Sequence, residues 1–300
     1  MDKKIIVIGS SNTDMVIHSN ELPSPGETVL GGQFIMNPGG KGANQAVAAS
    51  KLGGEVVFVA KVGNDVFGQE AIKGFEGHGI DTNFVFSDEN SPSGVALIMV
   101  NDEGENCISV ALGANGALQP SDIDNAREII ANSSHTLIQL EIPIEVVFYT
   151  VKMASQASSK IVLNPAPAQH LTDDLLSYVD IITPNETEAE LLTGIKVTDV
   201  NSARKAARML REKEVGIVII TMGSQGAYVL SDEEDNLVGC PKVNAIDTTA
   251  AGDTFNGALV VGLSEGMNLL DAIAFANQAA SLSVTKRGAQ ASIPNRNELA

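Results

Sequence analysis

Short, nearly unbroken apolar runs alternate along this chain with longer segments of helical period. Residues 5–9, 56–60, 137–140, 160–164, 179–183 and 216–221 are rich in β-branched side chains. Such runs predict strands buried on both faces of a parallel sheet. Helical segments lie between them. The clearest, 201–213, sets Ala203, Ala206, Ala207 and Leu210 at i, i+3, i+4 and i+7, with charges elsewhere. Residues 42–51, 67–77, 121–131, 145–157, 251–264 and 269–284 read the same way. Strand–helix alternation predicts an α/β, doubly wound, mostly parallel central sheet with helices on both faces. Ligands of such folds bind at the carboxyl ends of the strands.

Two stretches break the alternation. Residues 13–38 are turn-rich, with Pro23, Pro25, Gly26, Gly31 and Gly32. Residues 94–113 read as two apolar strands around the polar turn 101–106. They predict either a small accessory β-sheet or two more edge strands of the main sheet. There is no internal repeat or interdomain linker, so 1–300 reads as one domain.

Composition narrows the function. The 300 residues carry 19 Lys+Arg against 37 Asp+Glu, a net charge of −18, with 44% hydrophobic residues. That surface disfavours nucleic acid and anionic membranes as partners. An anionic ligand must be held locally, by a few donors, a helix end or a metal. Two cysteines form neither a disulfide framework nor a four-ligand zinc site. No run is long enough to span a membrane, and the apolar start is too short for a signal peptide. A cytoplasmic protein is expected.

Two familiar nucleotide signatures fail. No G-x-G-x-x-G follows the first strand. Gly40-Lys41 resembles the end of a P-loop, but Gly42 stands where Ser or Thr should hold Mg²⁺. Instead, Gly39-Gly40-Lys41-Gly42-Ala43-Asn44-Gln45 is a glycine-rich loop opening a helix. Its exposed N–H groups, with Lys41 and Asn44, suit the hydroxyls of a polar small molecule; a plain turn and cap is the alternative. Ser11-Asn12-Thr13-Asp14 adds polar groups at a strand end. The segment from Asp247 to Gly257 leads small residues into an apolar helix, a natural phosphate site. Asp253 in its first turn complements the helix dipole or acts as a base beside an anion hole. Asn185-Glu186-Thr187-Glu188 reads as a capping box, although Glu188 could also hold a hydrated Mg²⁺. Thr221-Met222-Gly223-Ser224-Gln225-Gly226 is either a hairpin turn or a phosphate cradle.

Together, residues 39–46 and 247–257, with Asn164-Pro165-Ala166-Pro167-Ala168 and residues 181–188, closely resemble the ribokinase family of carbohydrate kinases. The likeness runs along essentially the whole chain. It implies ATP-dependent phosphorylation of D-ribose at its 5-hydroxyl. The sugar contacts implied are Asn12, Thr13, Asp14, Gly40, Lys41, Gly42, Ala43, Asn44 and Glu141. The nucleotide contacts implied are Asn185, Thr221, Met222, Gly223, Ser224, Gln225, Gly226, Gly252 and Asn277. Asp253 would be the base, with Ala250, Ala251 and Gly252 forming the anion hole. Ala250 stands where the wider family often has glycine, which is expected to be tolerated at negative φ. Mg²⁺ near Glu188 is implied, through water. So is an activating K⁺ held by Asp247, Thr249, Ser283, Lys286, Gly288 and Ser292. The two irregular stretches, about 13–38 and 94–113, would form the family's lid and a homodimer contact. Kinases of the same family for deoxyribose, fructose or adenosine are the nearest rivals, and an inactive sugar sensor is the more distant one.

Overall fold

The first apolar run becomes a fully buried strand, β1 (Ile5–Ile8), near the middle of a large sheet. The computed structural model describes residues 3–157 and 159–299. In chain order there follow β2 (Asn12–His18), β3 (Gln33–Gly39), α1 (Lys41–Lys51), β4 (Val56–Gly63), α2 (Val66–Gly77) and β5 (Asp81–Asp88). Then come β6 (Gly94–Val100), β7 (Asn106–Ala111), α3 (Pro120–Asn125), α4 (Arg127–Asn132), β8 (His135–Ile138) and α5 (Ile144–Ala154). The central part continues with β9 (Lys160–Leu163), α6 (Asp173–Leu176), β10 (Ile181–Ile182), α7 (Glu186–Thr193) and α8 (Val200–Glu212). The last elements are β11 (Ile217–Thr221), β12 (Ala227–Leu230), β13 (Asp235–Val238), α9 (Ala251–Ser264) and α10 (Leu269–Ser283).

Nine strands form one sheet in the order β13-β12-β11-β10-β9-β8-β1-β4-β5. All pairings are parallel except β11–β12 and β12–β13. Successive side chains of β1 enter opposite cores, because the strand period is two. Ile6 and Ile8 join the helices α3 to α8 on one face, and Ile5 and Val7 join α1, α9 and α10 on the other. Both faces are therefore covered, which is why these strands read as unbroken apolar runs. The six strands expected from the sequence all lie in this sheet. The expected helix 121–131 instead breaks at Ala126 (φ −98, ψ 3), whose N–H bonds three residues back to Ile123.

Residues 13–38 and 94–113 supply a separate four-stranded sheet, β3-β2-β6-β7, rather than edge strands of the main one. The 101–106 turn forms as expected. The Asn101 side-chain oxygen accepts from the backbone N–H groups of Glu103 and Glu105. This sheet leaves Phe34, Met36, Leu97, Ile108 and Val110 exposed. Among the described residues no helix is long and apolar enough to cross a membrane.

Candidate active site

The glycine-rich loop does open a helix. α1 starts at Lys41, capped by Gly40 at φ 90, where a side chain is strained and a Cβ would lie 2.7 Å from the Asn12 nitrogen. α1 and α9 cross so closely that a Cβ on Gly257 would meet the Gln45 carbonyl at 2.8 Å. That crossing brings the two helix starts together. Asn44 Nδ2 donates to Asp253 Oδ2 at 3.0 Å, and Gln45 Nε2 donates to Asp253 Oδ1 at 2.9 Å.

Glu141, just beyond β8, accepts from Ser10 Oγ at 2.5 Å and from the Lys41 N–H at 3.0 Å. Asn12 Oδ1 accepts from Asn115 Nδ2 at 2.8 Å. Asp14, Lys41, Glu141 and Asp253 thus share one electrostatic neighbourhood. Burial, then Glu141 and Asp253, push Asp14 up to about 6, against the pull of Lys41. Burial opposes the charge on Lys41, but the carboxylates of Asp253, Glu141, Glu188 and Asp14 outweigh it and hold the amine above its ordinary pKa. Burial also raises Asp253, opposed by Lys41, Gln45 and Asn44.

A cavity of about 210 Å³ opens beside this cluster at the carboxyl ends of the strands. Lys41, Asn185, Glu188, Thr221, Gly252 and Asp253 are among its walls. Helix geometry leaves the first N–H groups of α9 without intrahelical partners. Gly252 opens on free space, since a Cβ there would meet nothing within 4 Å. Ala251 contributes less than expected, because its N–H turns back to the Thr248 carbonyl at 3.2 Å. Ala250 also departs from expectation. It caps α9 at φ 58, ψ 16, the left-handed region, not at negative φ.

The capping box at α7 is present, with Asn185 Oδ1 accepting from the Glu188 N–H at 2.8 Å and the Asn185 N–H donating to Glu188 Oε2 at 2.9 Å. Glu188 is nonetheless buried and lines the cavity, and burial raises its pKa against the Asn185 bond and Lys41. One carboxylate oxygen holds the cap, so Oε1 fits a water-mediated Mg²⁺. Residues 221–226 make the β11–β12 hairpin turn, with the Met222 N–H bonded to the Gly226 carbonyl. Of that segment only Thr221 lines the cavity; Met222 is buried, while Gly223, Ser224, Gln225 and Gly226 form the turn beyond it. Asn277 likewise stands outside the cavity lining and donates to the carbonyls of Val238 and Gly239.

Asp247 and the 283–292 segment do meet. Asp247 Oδ2 accepts from the Gly288 N–H at 2.8 Å, and Oδ1 from the N–H and hydroxyl of Thr249. Burial would raise Asp247, but these bonds hold it below the usual carboxylate pKa. Ser283 and Ser292 are fully buried nearby in sequence, each hydroxyl donating to a carbonyl three residues back. Lys286 sends its ammonium away to Glu298 at 2.9 Å, leaving only its backbone for an ion. This oxygen-rich set, anchored on an ionised carboxylate, fits a large hard cation.

Several polar residues join the site unforeseen. Asn115 accepts from the Ser11 N–H and donates to Asn12. Gln139 donates to Gln45, Gln45 to Asn164, and Thr183 to Asn256, whose amide holds the Gly252 carbonyl. Asn164 and Thr183 lie at strand ends, where ligands of such folds bind.

The pfkB family carbohydrate kinase profile matches residues 2–296. A ribokinase of Haemophilus influenzae is 45% identical, covering 99% of this chain and 97% of its own length. A deoxyribokinase of Salmonella typhi is 39% identical, covering 97% and 95%. The structure of Arabidopsis thaliana ribokinase complexed with ribose and ATP superposes with a TM-score of 0.94 at 32% identity, covering 100% of this chain and 98% of that one. With a site of this composition at the sheet's carboxyl edge and a match spanning nearly every residue, the chain belongs to the pfkB family of carbohydrate kinases.

Proposed function

We propose that this chain transfers the γ-phosphoryl group of ATP to O5 of D-ribose. The observation that carries the reading is Asp253, a buried carboxylate in the first turn of α9, bonded to Asn44 and sharing a cavity wall with Lys41 and Gly252. The Asp253 carboxylate takes the O5 proton as the O5–Pγ bond forms and the bond from Pγ to the leaving ADP oxygen breaks. The Gly252 N–H and the α9 dipole offset charge on the transferring group. Asn44 Oδ1 is buried without a partner among the described residues and awaits a donor such as a sugar hydroxyl. Asp14, Lys41 and Glu141 stand near Asp253 and, with Asn12 at the start of β2, supply the other sugar contacts. Asn185 and Thr221 hold the nucleotide side, with residues 222–226 and Asn277 beyond them.

Magnesium, when bound, neutralises charge on the ATP phosphates, and Glu188 would hold it through water. Asp247, Thr249, Ser283, Lys286, Gly288 and Ser292 would hold an activating K⁺ that orders the turn entering α9. The small sheet serves as a lid over the sugar, and its exposed Phe34, Met36 and Leu97, on the face opposite Asp14, favour pairing with a second copy. The enzyme acts in the cytoplasm, where ATP is available.

The deciding experiment is ADP release with ribose, deoxyribose, fructose and adenosine as acceptors, run with wild type and Asp253→Asn. Ribose should give the highest kcat/KM, and Asp253→Asn should lose about 10²–10⁴-fold in kcat. Preference for deoxyribose would reassign the acceptor, and a near-normal Asp253→Asn rate would remove the base. Omitting K⁺ at constant ionic strength should lower the rate, and Asp247→Ala should be insensitive to K⁺. Sedimentation should give a dimer.

A further inference from the structure

We propose that Gln45, oriented by Gln139, is the positioning residue that fixes the Asp253 carboxylate for proton transfer. The inference rests on the reading of Asp253 as the base.

Gln45 is fully buried on the first turns of α1, and both atoms of its side-chain amide are taken up by protein groups, which leaves none for substrate. Its Nε2 faces two acceptors, Asp253 Oδ1 and Asn164 Oδ1, both at 2.9 Å. Its Oε1 accepts from Gln139 Nε2 at 2.6 Å. These three bonds permit one orientation of the amide. Turned over, its oxygen would oppose two oxygens and its NH₂ would oppose the NH₂ of Gln139. Asn164 is fixed in turn, because its Nδ2 donates to the Thr183 carbonyl at 3.2 Å. The chain Gln139–Gln45–Asp253 therefore runs from the end of β8 through α1 to the start of α9, and presents only N–H groups to the carboxylate.

The two oxygens of Asp253 are held by different residues with different exposure to the sugar. Oδ2 is held by Asn44, which retains an unpaired acceptor, whereas Oδ1 is held by Gln45, whose amide is fully engaged. Gln45 thus fixes the rotation of the carboxylate and leaves the Asn44 side to meet the hydroxyl. A donor aimed at a buried carboxylate also favours its ionised, basic form, against the burial that opposes it.

A purely structural role would lower stability and leave the pH profile in place. A positioning role moves the acid limb of kcat. In Gln45→Met, which keeps the length and removes both donors, that limb should move up by about 1–2 pH units, the worth of a hydrogen bond to a charged group. Ribose KM should change less than about threefold, because only transition-state interactions are lost. Gln45→Glu keeps the acceptor for Gln139 but sets a second carboxyl group against Asp253, so its limb should move at least as far. The ionisation of ATP is common to all the enzymes, so the difference between profiles reads the protein. An unmoved acid limb in either folded variant overturns the proposal. Failure of both variants to fold overturns it too, since Gln45 would then be structural. Asp253→Asn separates the two ideas: if it keeps its rate, the base reading falls; if it is inactive while the Gln45 limbs stay put, only this proposal falls.

Discussion

The Asp14 carboxylate fills the space beside Gly39 that a side chain would need: a Cβ built on Gly39 would collide with it. The pair is set by register, since β2 runs antiparallel to β3 with Asn12 opposite Gly39 and Asp14 opposite Asn37. Gly39→Ala should therefore evict a sugar ligand rather than unfold the protein, because the displaced group is the end of a side chain. Ribose KM should rise by more than about tenfold, as expected when a site built for hydroxyls loses a partner, with the melting temperature little changed. An unaltered KM would take Asp14 out of the sugar site.

Asp14 also sets up a conflict between stability and binding. Burial and its acidic neighbours push its carboxyl up to about 6 in the folded protein, from an ordinary value of 3.8. The folded state binds the proton more tightly, so stabilisation from the protonated form is complete below pH 3.8 and is lost as pH rises through 6. Ionised Asp14 then costs at most about 3 kcal/mol at pH 8, reduced by its partial exposure. Asp14→Asn should be more stable than wild type at pH 8, with the gap closing toward pH 4, yet poor with ribose. Denaturant titrations at both pH values check this. In the wild type, ribose KM should climb as pH falls below 6.

The strands of the main sheet were legible because both faces are buried, so Ile5–Ile8 carries no polar interruption. Lys41, Asn44 and Asp253 were legible because they sit at helix starts, where small residues and polar groups stand out. β5 was not, since Asp81–Asp88 has polar residues at both ends and no fully buried position. The layer beneath Asp253 was not legible either. Gln45 meets Gln139 across 94 residues and Asp253 across 208, so no local pattern pairs them. Asn164 and Thr183 stood in recognisable motifs, but their roles depend on which neighbour the fold supplies.

The left-handed Ala250 lay beyond sequence reasoning, since residue type constrains φ without fixing it. An L-residue in this conformation costs about 1–2 kcal/mol relative to its right-handed form, and glycine escapes that cost at the expense of greater freedom when unfolded. Ala250→Gly should stabilise the apoprotein by about 1 kcal/mol, read from the denaturation midpoint at constant slope. No gain would mean that the turn relaxes Ala250 out of the left-handed region in solution.

The opposite end of the sheet should set the acid limit of the fold. His135 opens β8, is buried, and has Ser134 Oγ 3.2 Å from its Nδ1. Burial pulls its pKa from 6.5 down to about 4, and Lys160 adds to this while Asp180 opposes it. Between pH 6.5 and 4 the unfolded chain therefore binds a proton that the folded chain refuses. Stability rises with pH wherever the unfolded state holds more protons, so the contribution of neutral His135 is complete above 6.5 and lost as pH falls through 4. The full span is worth about 3 kcal/mol at 1.36 kcal/mol per unit. Asp14 acts in the opposite direction over part of this range, so the comparison must be between wild type and a His135 variant. His135→Asn removes the titration and keeps a polar group for Ser134. Its unfolding free energy should be lower than that of wild type at pH 7.5 and fall less steeply between pH 6.5 and 4. Equal slopes for the two proteins would mean that His135 takes up its proton in the folded state and sets no acid limit.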